Sequence, residues 1–248
     1  MDKNEADKLV EKLKGCGAKE VMEFLFGAFG VKAAIASSLG AEDQVLTCMA
    51  AGINRYFRIF TLDTGRLPQE TYDVMQETIE KYRISYSVSF PEAGDVEKME
   101  NKYGPNLFYE SVENRKMCCG VRKVKPLKKA LSGISVWITG LRREQAATRG
   151  NLEIIEWDEG NNMIKANPLA LWSEKQVWDY IKKNNVPYNK LHDKGYPSIG
   201  CAPCTRAIKA GEDIRAGRWW WETPEQKECG LHVKDGKLVK SKARDSRE

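Results

Sequence analysis

Residues 32–43 read Lys-Ala-Ala-Ile-Ala-Ser-Ser-Leu-Gly-Ala-Glu-Asp. Residues 32–37 are a short apolar run that predicts a strand. Residues 41–51 then carry the pattern of a helix. Between them stand Ser37, Ser38, Leu39 and Gly40, small residues for the most part, at the point where strand becomes helix. Such a junction opens a βαβ unit. Two readings of residues 37–43 stand side by side. One is a cradle in which Ser37, Ser38, Gly40 and Asp43 hold a phosphate at a helix N-terminus, where N–H groups and the dipole favour an anion. The other is a plain βα turn capped by serine. Neither a Walker A loop nor a GxGxxG fingerprint occurs in the chain.

Working outward, the alternation continues. Residues 56–63 (YFRIFTLD) predict the next strand, stopped by Thr-Gly. Residues 68–83 predict a helix, with Pro68 in its first turn, where the missing N–H costs least. Residues 84–90 predict a third strand and 135–139 (SVWIT) a fourth. Residues 173–184 predict a helix with Ser173 as N-cap and Gln176 closing a capping box. The expected fold class is therefore α/β, a mostly parallel central sheet flanked by helices. Beyond Pro187 the regular patterning gives way to Gly, Pro, Cys and Trp. No internal repeat is present.

In such sheets ligands sit beyond the carboxyl ends of the strands. Two further motifs fall there. Asp63-Thr64-Gly65-Arg66 offers a carboxylate and an arginine to a ribose or an anion, or is a simple turn. Arg142-Arg143 after Gly140, continuing to Arg149, offers guanidinium forks that suit sulfate or phosphate. The net charge of +5 is modest, so no nucleic-acid partner is expected.

Seven cysteines are present, and five stand in chemical contexts: Cys118-Cys119, Cys201-Ala-Pro-Cys204, and Cys229 in Glu-Cys-Gly-Leu-His. Four clustered thiols suit zinc or an iron–sulfur cluster. Structural zinc usually takes spaced pairs, so the tandem Cys118-Cys119 argues for iron–sulfur; a dithiol couple with spare thiols remains the alternative. Cys16 and Cys48 lie in segments that read as helical and are expected to serve as small hydrophobes. No stretch approaches the roughly 20 apolar residues of a membrane helix, and the charged N-terminal stretch lacks the core of a signal peptide. A cytoplasmic protein with reduced thiols and no membrane partner is expected.

The segments SSLGAED, LDTGRLPQETY, CCGVRKVKPLKKAL, WITGLRREQ, NPLALWSEKQVWDYI, LHDKGYPSIGCAPCTR, GEDIRAGRWWWE and KECGLH occur in this order. Together, over residues 30–232, they resemble the assimilatory adenylyl-sulfate reductases of the phosphoadenylyl-sulfate reductase superfamily. The resemblance implies an adenine-nucleotide α-hydrolase-like fold, with residues 37–43 as a modified pyrophosphate loop. It implies a 4Fe–4S cluster on Cys118, Cys119, Cys201 and Cys204, and Cys229 as the catalytic thiol that takes the sulfonyl group as S-sulfocysteine. It implies thioredoxin, or a glutaredoxin-like thiol donor, as reductant; few residues follow Cys229, so the donor is expected to be a separate protein rather than a fused domain. Substrate contacts are expected from Ser37, Ser38, Gly40, Asp43, Asp63, Thr64, Gly65, Arg66, Lys123, Arg149, Arg215 and Arg218, with Arg142, Arg143 and Arg206 as further candidates. A homo-oligomer, dimer or tetramer, is implied.

Residues 1–218 are expected to form one nucleotide-binding reductase domain and 219–248 a mobile segment carrying Cys229. Trp219, Trp220 and Trp221 are expected to pack rather than stack on a base. His192 is expected to be structural, and His232 either shapes the Cys229 surroundings or lies in the tail. Between Arg143 and Arg149 the chain departs from the family pattern, which bears on the placement of Arg149. The alternative to adenylyl sulfate as substrate is its 3′-phosphorylated form, with the cluster retained.

Overall fold

The strand predicted from the opening stretch is β1 (Ala33–Ala36), and it lies inside a six-stranded sheet. The computed structural model describes residues 3–146 and 149–223. Beside β1 run β2 (Arg58–Leu62) and then β3 (Ser87–Ser89). On its other side run β4 (Val136–Ile138), β6 (Met163–Ala166) and β5 (Ile155–Asp158), giving the order β3-β2-β1-β4-β6-β5. Every pairing is parallel except β5 with β6. The chain leaves β1 toward β2 and later returns to β4 on the opposite side. The β1 carboxyl end is therefore a topological switch point, where open α/β sheets leave a crevice for ligands.

β1 is buried on both faces because residues alternate across a strand. Ala33 and Ile35 enter the larger core, with Val21 and Leu25 of α2 (Ala18–Phe29), Val45 and Leu46 of α3 (Ala41–Ile53), and Val177 and Ile181 of α8 (Glu174–Lys183). Ala34 faces the other way, against Phe60, Trp137, Met163 and Leu127 of α7 (Lys125–Ala130). The α2 residues Ala18, Val21, Met22, Leu25 and Phe26 recur at helical spacing and are all buried. Each such large apolar side chain stabilises the fold by about 1.5–3 kcal/mol.

The remaining helices are α1 (Lys3–Lys12), α4 (Gln69–Tyr82), α5 (Ala93–Tyr103) and α6 (Val112–Cys119). From α6 the chain passes through a π-helical turn, Gly120–Val124, directly into α7. Among the described residues no helix is long and apolar enough to cross a membrane.

Several local expectations shift. The strand expected over residues 84–90 shrinks to Ser87–Ser89: Ile84 turns into the larger core, while Val88 and Phe90 are exposed on the sheet edge. Pro68 stands outside α4 as its N-cap, in extended conformation, rather than in the first turn. Cys48 is in α3, but Cys16 falls in the connection between α1 and α2. The β5–β6 hairpin went unpredicted because its strands are four residues each. It is closed by Asp158, which accepts from the Asn161 N–H and side-chain amide, and by Asn162 in left-handed conformation (φ 53°).

The packed body continues past the boundary drawn after Arg218. Trp219 is 1% exposed, and Glu222 is also buried. Phe108, Cys118, Cys204 and Trp219 form a third, smaller core. The rest of the C-terminal segment, from residue 224 and including Cys229 and His232, lies outside the described residues.

Candidate active site

The loop after β1 is shaped by its own side chains. Asp43, in the first turn of α3, reaches back and accepts from the Ser38 backbone N–H and hydroxyl, both at 2.6 Å. The Ser37 hydroxyl accepts from the Leu39 N–H at 3.1 Å, and Leu39 adopts φ 63°. Gly140, at the end of β4, abuts this loop; a β-carbon there would overlap the Asp43 carboxylate. Burial pushes the Asp43 carboxyl up to about 6, against the opposing pull of the Ser38 hydrogen bonds.

Beyond the ends of β1, β2 and β4 opens a cavity of about 280 Å³. That is close to the lower end of the roughly 300–1,000 Å³ of small-ligand sites. Ser37, Ser38, Gly40 and Asp43 line it, and so do Lys123, Arg149, Arg215 and Arg218. Four cations thus come from three separate chain segments to one concavity. Arg218 lies across Gly200, where a β-carbon would collide with the guanidinium, and donates to the Ile199 carbonyl at 3.0 Å. The other basic candidates are engaged within the protein. Arg142 pairs with Glu42 (2.8 Å) and Glu144, Arg143 with Glu153 and the Leu152 carbonyl, and Arg206 with Glu212.

Asp63, Thr64, Gly65 and Arg66 occupy a different place from the one the strand-end argument suggests. They do not border the cavity; they form a platform against the thiols. Asp63 accepts from the Gly65 N–H at 2.7 Å and from the Tyr72 hydroxyl, closing the turn. The Thr64 hydroxyl lies 3.2 Å from the Cys201 sulfur. The Thr64 carbonyl accepts from Arg122 at 2.6 Å, and the Arg66 carbonyl accepts from the Ala202 N–H.

Cys118 and Cys119 end α6, Cys201 caps a short 3-10 turn, Ala202–Cys204, and Cys204 is its last residue. All four line one small void of about 20 Å³, together with Arg66, Arg115, Arg122, Lys123 and Arg218. Lys123 and Arg218 border both this void and the larger cavity. The four thiols are free of disulfides. Burial raises the Cys118 thiol, and pushes Cys204 up to about 12. A buried thiolate needs nearby positive charge, and a metal centre supplies it. Among the described residues no three His, Cys, Asp or Glu side chains are grouped to hold a single metal ion. One tetrahedral ion demands thiolate sulfurs about 3.8 Å apart; a cubane spreads its four ligands over four irons. The donor set is sulfur only, comes from two segments and surrounds a void, a chemistry that suits an iron–sulfur cluster or a zinc ion.

A match to the phosphoadenosine phosphosulfate reductase domain spans residues 32–207. The chain belongs to this family. Among this reductase's curated relatives, an adenosine 5′-phosphosulfate reductase of Allochromatium vinosum is 55% identical over 203 residues, covering 81% of this chain and 78% of the relative. One of Sinorhizobium fredii (strain USDA 257), with the same name, is 50% identical over 230 residues, 92% of this chain and 91% of the relative. The crystal structure of a phosphoadenylyl-sulfate reductase from Candida auris, a phosphate complex, superposes with a TM-score of 0.72 at 27% identity, covering 84% of this chain and 98% of that one. An FMN adenylyltransferase of Candida glabrata shares the fold alone, with a TM-score of 0.53 at 14% identity, over 89% of this chain and 82% of that one. The reductase is thus an enzyme on the adenine-nucleotide α-hydrolase-like fold.

Some residues of the reductase's site escaped the sequence reading. Trp137, Leu127 and Thr71 also line the larger cavity, as does His192, for which a structural role was expected. His192 packs edge-on against Trp178 at 5.2 Å, and its Nε2 is buried without a hydrogen-bond partner among the described residues. Arg115 and Arg122 border the thiols, and a signal for them existed. They stand three residues before Cys118 and three after Cys119, one helical turn away on either side.

Proposed function

We propose that this enzyme reduces adenylyl sulfate to sulfite and AMP. The observation that carries the proposal is the convergence of Cys118, Cys119, Cys201 and Cys204 beside a cavity bearing Lys123, Arg149, Arg215 and Arg218. The names of the curated relatives support the same substrate.

In this reading the nucleotide lies over residues 37–43, with the α3 N-terminus and the Ser37 and Ser38 hydroxyls near its phosphate. Lys123, Arg149, Arg215 and Arg218 hold the sulfate and phosphate oxygens and offset the charge that grows on AMP as it leaves. Cys229, as thiolate, attacks the sulfur. The S–O bond to AMP breaks with its electron pair on the phosphate oxygen, leaving Cys229 as S-sulfocysteine. A dithiol donor, thioredoxin or a glutaredoxin-like protein, then attacks the Cys229 sulfur and releases sulfite. Its second thiol resolves the mixed disulfide, so the donor ends as a disulfide and Cys229 as a thiol. Cys118, Cys119, Cys201 and Cys204 would hold a 4Fe–4S cluster, which would tie the two cysteine segments together, while the positive charge beside the sulfate comes from Lys123 and the arginines. Asp63, Thr64, Gly65 and Arg66 would then support the Cys201 side of that site. Assembly into a dimer or tetramer belongs to the same proposal.

The test is sulfite release by anaerobically purified protein with reduced thioredoxin. Adenylyl sulfate and its 3′-phosphorylated form are compared at equal concentration. A clear preference for adenylyl sulfate is expected. Equal or reversed rates would assign the chain to the phosphorylated or dual-specific substrate class.

A further inference from the structure

Arg115 lies on α6, one turn before Cys118, and is completely buried. Its guanidinium makes a two-point contact with Glu222, Nε to Oε1 and a terminal nitrogen to Oε2, each at 2.8 Å. The two side chains are 1% and 2% exposed. The same guanidinium lies over the Trp219 ring at 4.6 Å and has the Cys119 side chain as a further partner. Trp219 in turn donates its backbone N–H to the Cys204 carbonyl at 3.1 Å, and Glu222 donates to the Trp219 carbonyl at 2.9 Å.

A buried ion pair is a poor way to gain stability, because desolvating two charges offsets most of their attraction. It is a good way to fix one arrangement, since either partner alone is left as a buried, unpaired charge. Here the arrangement fixed is that of the segment after Trp219 relative to both halves of the thiol site. The pair contributes nothing to the cavity wall, so substrate contact does not explain it.

We propose that Arg115–Glu222 is a latch that fastens the segment leading to Cys229 against the cysteine-bearing helix α6. Cys229 follows Glu222 by seven residues in sequence, so the latch limits it to at most about 25 Å from Glu222. With the latch open, the fixed point retreats toward Arg218, which has its own anchor on the Ile199 carbonyl. The tether lengthens and the local concentration of the thiol at the cavity falls. Glu222 and Arg115 are positioning residues in this scheme. It rests on Cys229 being the reacting thiol.

The variant Glu222→Gln keeps the shape of the side chain and removes its charge. Two readouts are taken on the iron-loaded enzyme. The first is chymotrypsin cleavage after Trp219, which is 1% exposed in the latched form and lies beyond the Arg218 anchor; it requires no substrate. Cleavage is expected to rise at least about tenfold, because a buried charge loses its partner and the open population grows. The second is single-turnover transfer of the sulfonyl group to Cys229, read by protein mass. Its rate is expected to fall about twofold, the effect of lengthening the tether from seven residues to eleven, while KM for the nucleotide is unchanged, since Arg215 and Arg218 precede the latch. Arg115→Met combined with Glu222→Gln removes the latch contact without leaving an orphaned charge and serves where the single variant folds poorly; both changes are expected in the same direction and smaller in size. Wild-type cleavage or a wild-type transfer rate in the variant that folds overturns the proposal. Absence of any mass gain on Cys229 in the wild type, with cleavage behaving as expected, instead overturns the reaction assigned above.

Discussion

Asp43 is enclosed between the loop it organises and Gly140, and burial is the largest influence on its carboxyl, raising it from 3.8 to about 6. The folded protein therefore holds this proton more tightly than the unfolded chain. The resulting stabilisation is full below pH 4, declines as pH rises, and is lost once pH passes about 6. Its size is at most about 3 kcal/mol. Asp43→Asn carries no such titration. The difference in thermal midpoint between wild type and Asp43→Asn should thus move against the wild type between pH 4 and pH 6 and level off above pH 7. A difference that is flat over this range would show that Asp43 stays ionised in the fold.

At the scale of elements, α8 illustrates a helix whose start is written in local sequence. The Ser173 hydroxyl accepts from the Gln176 N–H at 3.2 Å, and the Gln176 side chain accepts from the Ser173 N–H at 2.8 Å. Val177 and Ile181 then face the larger core. Ser173→Ala should cost about 1 kcal/mol, lowering the thermal midpoint by about 2–4 °C for a chain of this size. Ser173 lines no part of the cavity, so turnover at 25 °C should not change. A loss of turnover at full folding would mean that α8 communicates with the site. The passage from α6 through the π-helical turn to α7 is the contrasting case. Its extra residue per turn re-aims the side chains that follow Cys119. Arg122 is thereby bonded to the Thr64 carbonyl and to Glu100, and Lys123 reaches the boundary between thiol void and cavity.

For the whole molecule, the thiol site joins segments that are 82 residues apart at their nearest cysteines, Cys119 and Cys201. A group bound there adds its binding free energy to folding. Removing iron with an oxidant and chelator should abolish visible absorbance and lower the thermal midpoint. Cys204→Ser should purify with little iron and labile sulfide. Full iron content in Cys204→Ser would remove this thiol from the ligand set. Loss of iron without any change in the midpoint would mean that the segments hold each other unaided, through the Thr64, Arg122 and Arg66 contacts.

The α/β class, the alternation of the main strands and helices along the chain, the α8 cap and the paired thiols were legible in sequence, because each depends on neighbours a few residues apart. Apolar runs of four to six residues, small residues at a strand end and a serine three residues before glutamine carry local physical consequences wherever they occur. The β5–β6 hairpin was not, and the bounds of β3 were drawn too wide, since strands of three or four residues gain their pairing from the sheet rather than from their own pattern. The roles of arginines also required the tertiary structure. Charge runs alone marked Arg142, Arg143, Arg149, Arg206, Arg215 and Arg218 alike, and the family resemblance ranked Arg149, Arg215 and Arg218 above the other three without a physical reason. Only the fold sets Glu42, Glu153 and Glu212 beside three of them and opens the cavity to the others. Sequence likewise supplied Asp63-Thr64-Gly65-Arg66 as a strand-end turn, but its position against Cys201 follows from the path of a segment more than a hundred residues later. Pairings between distant segments are decided by which buried charges and polar groups must find partners once the sheet has formed, and that condition has no local signature.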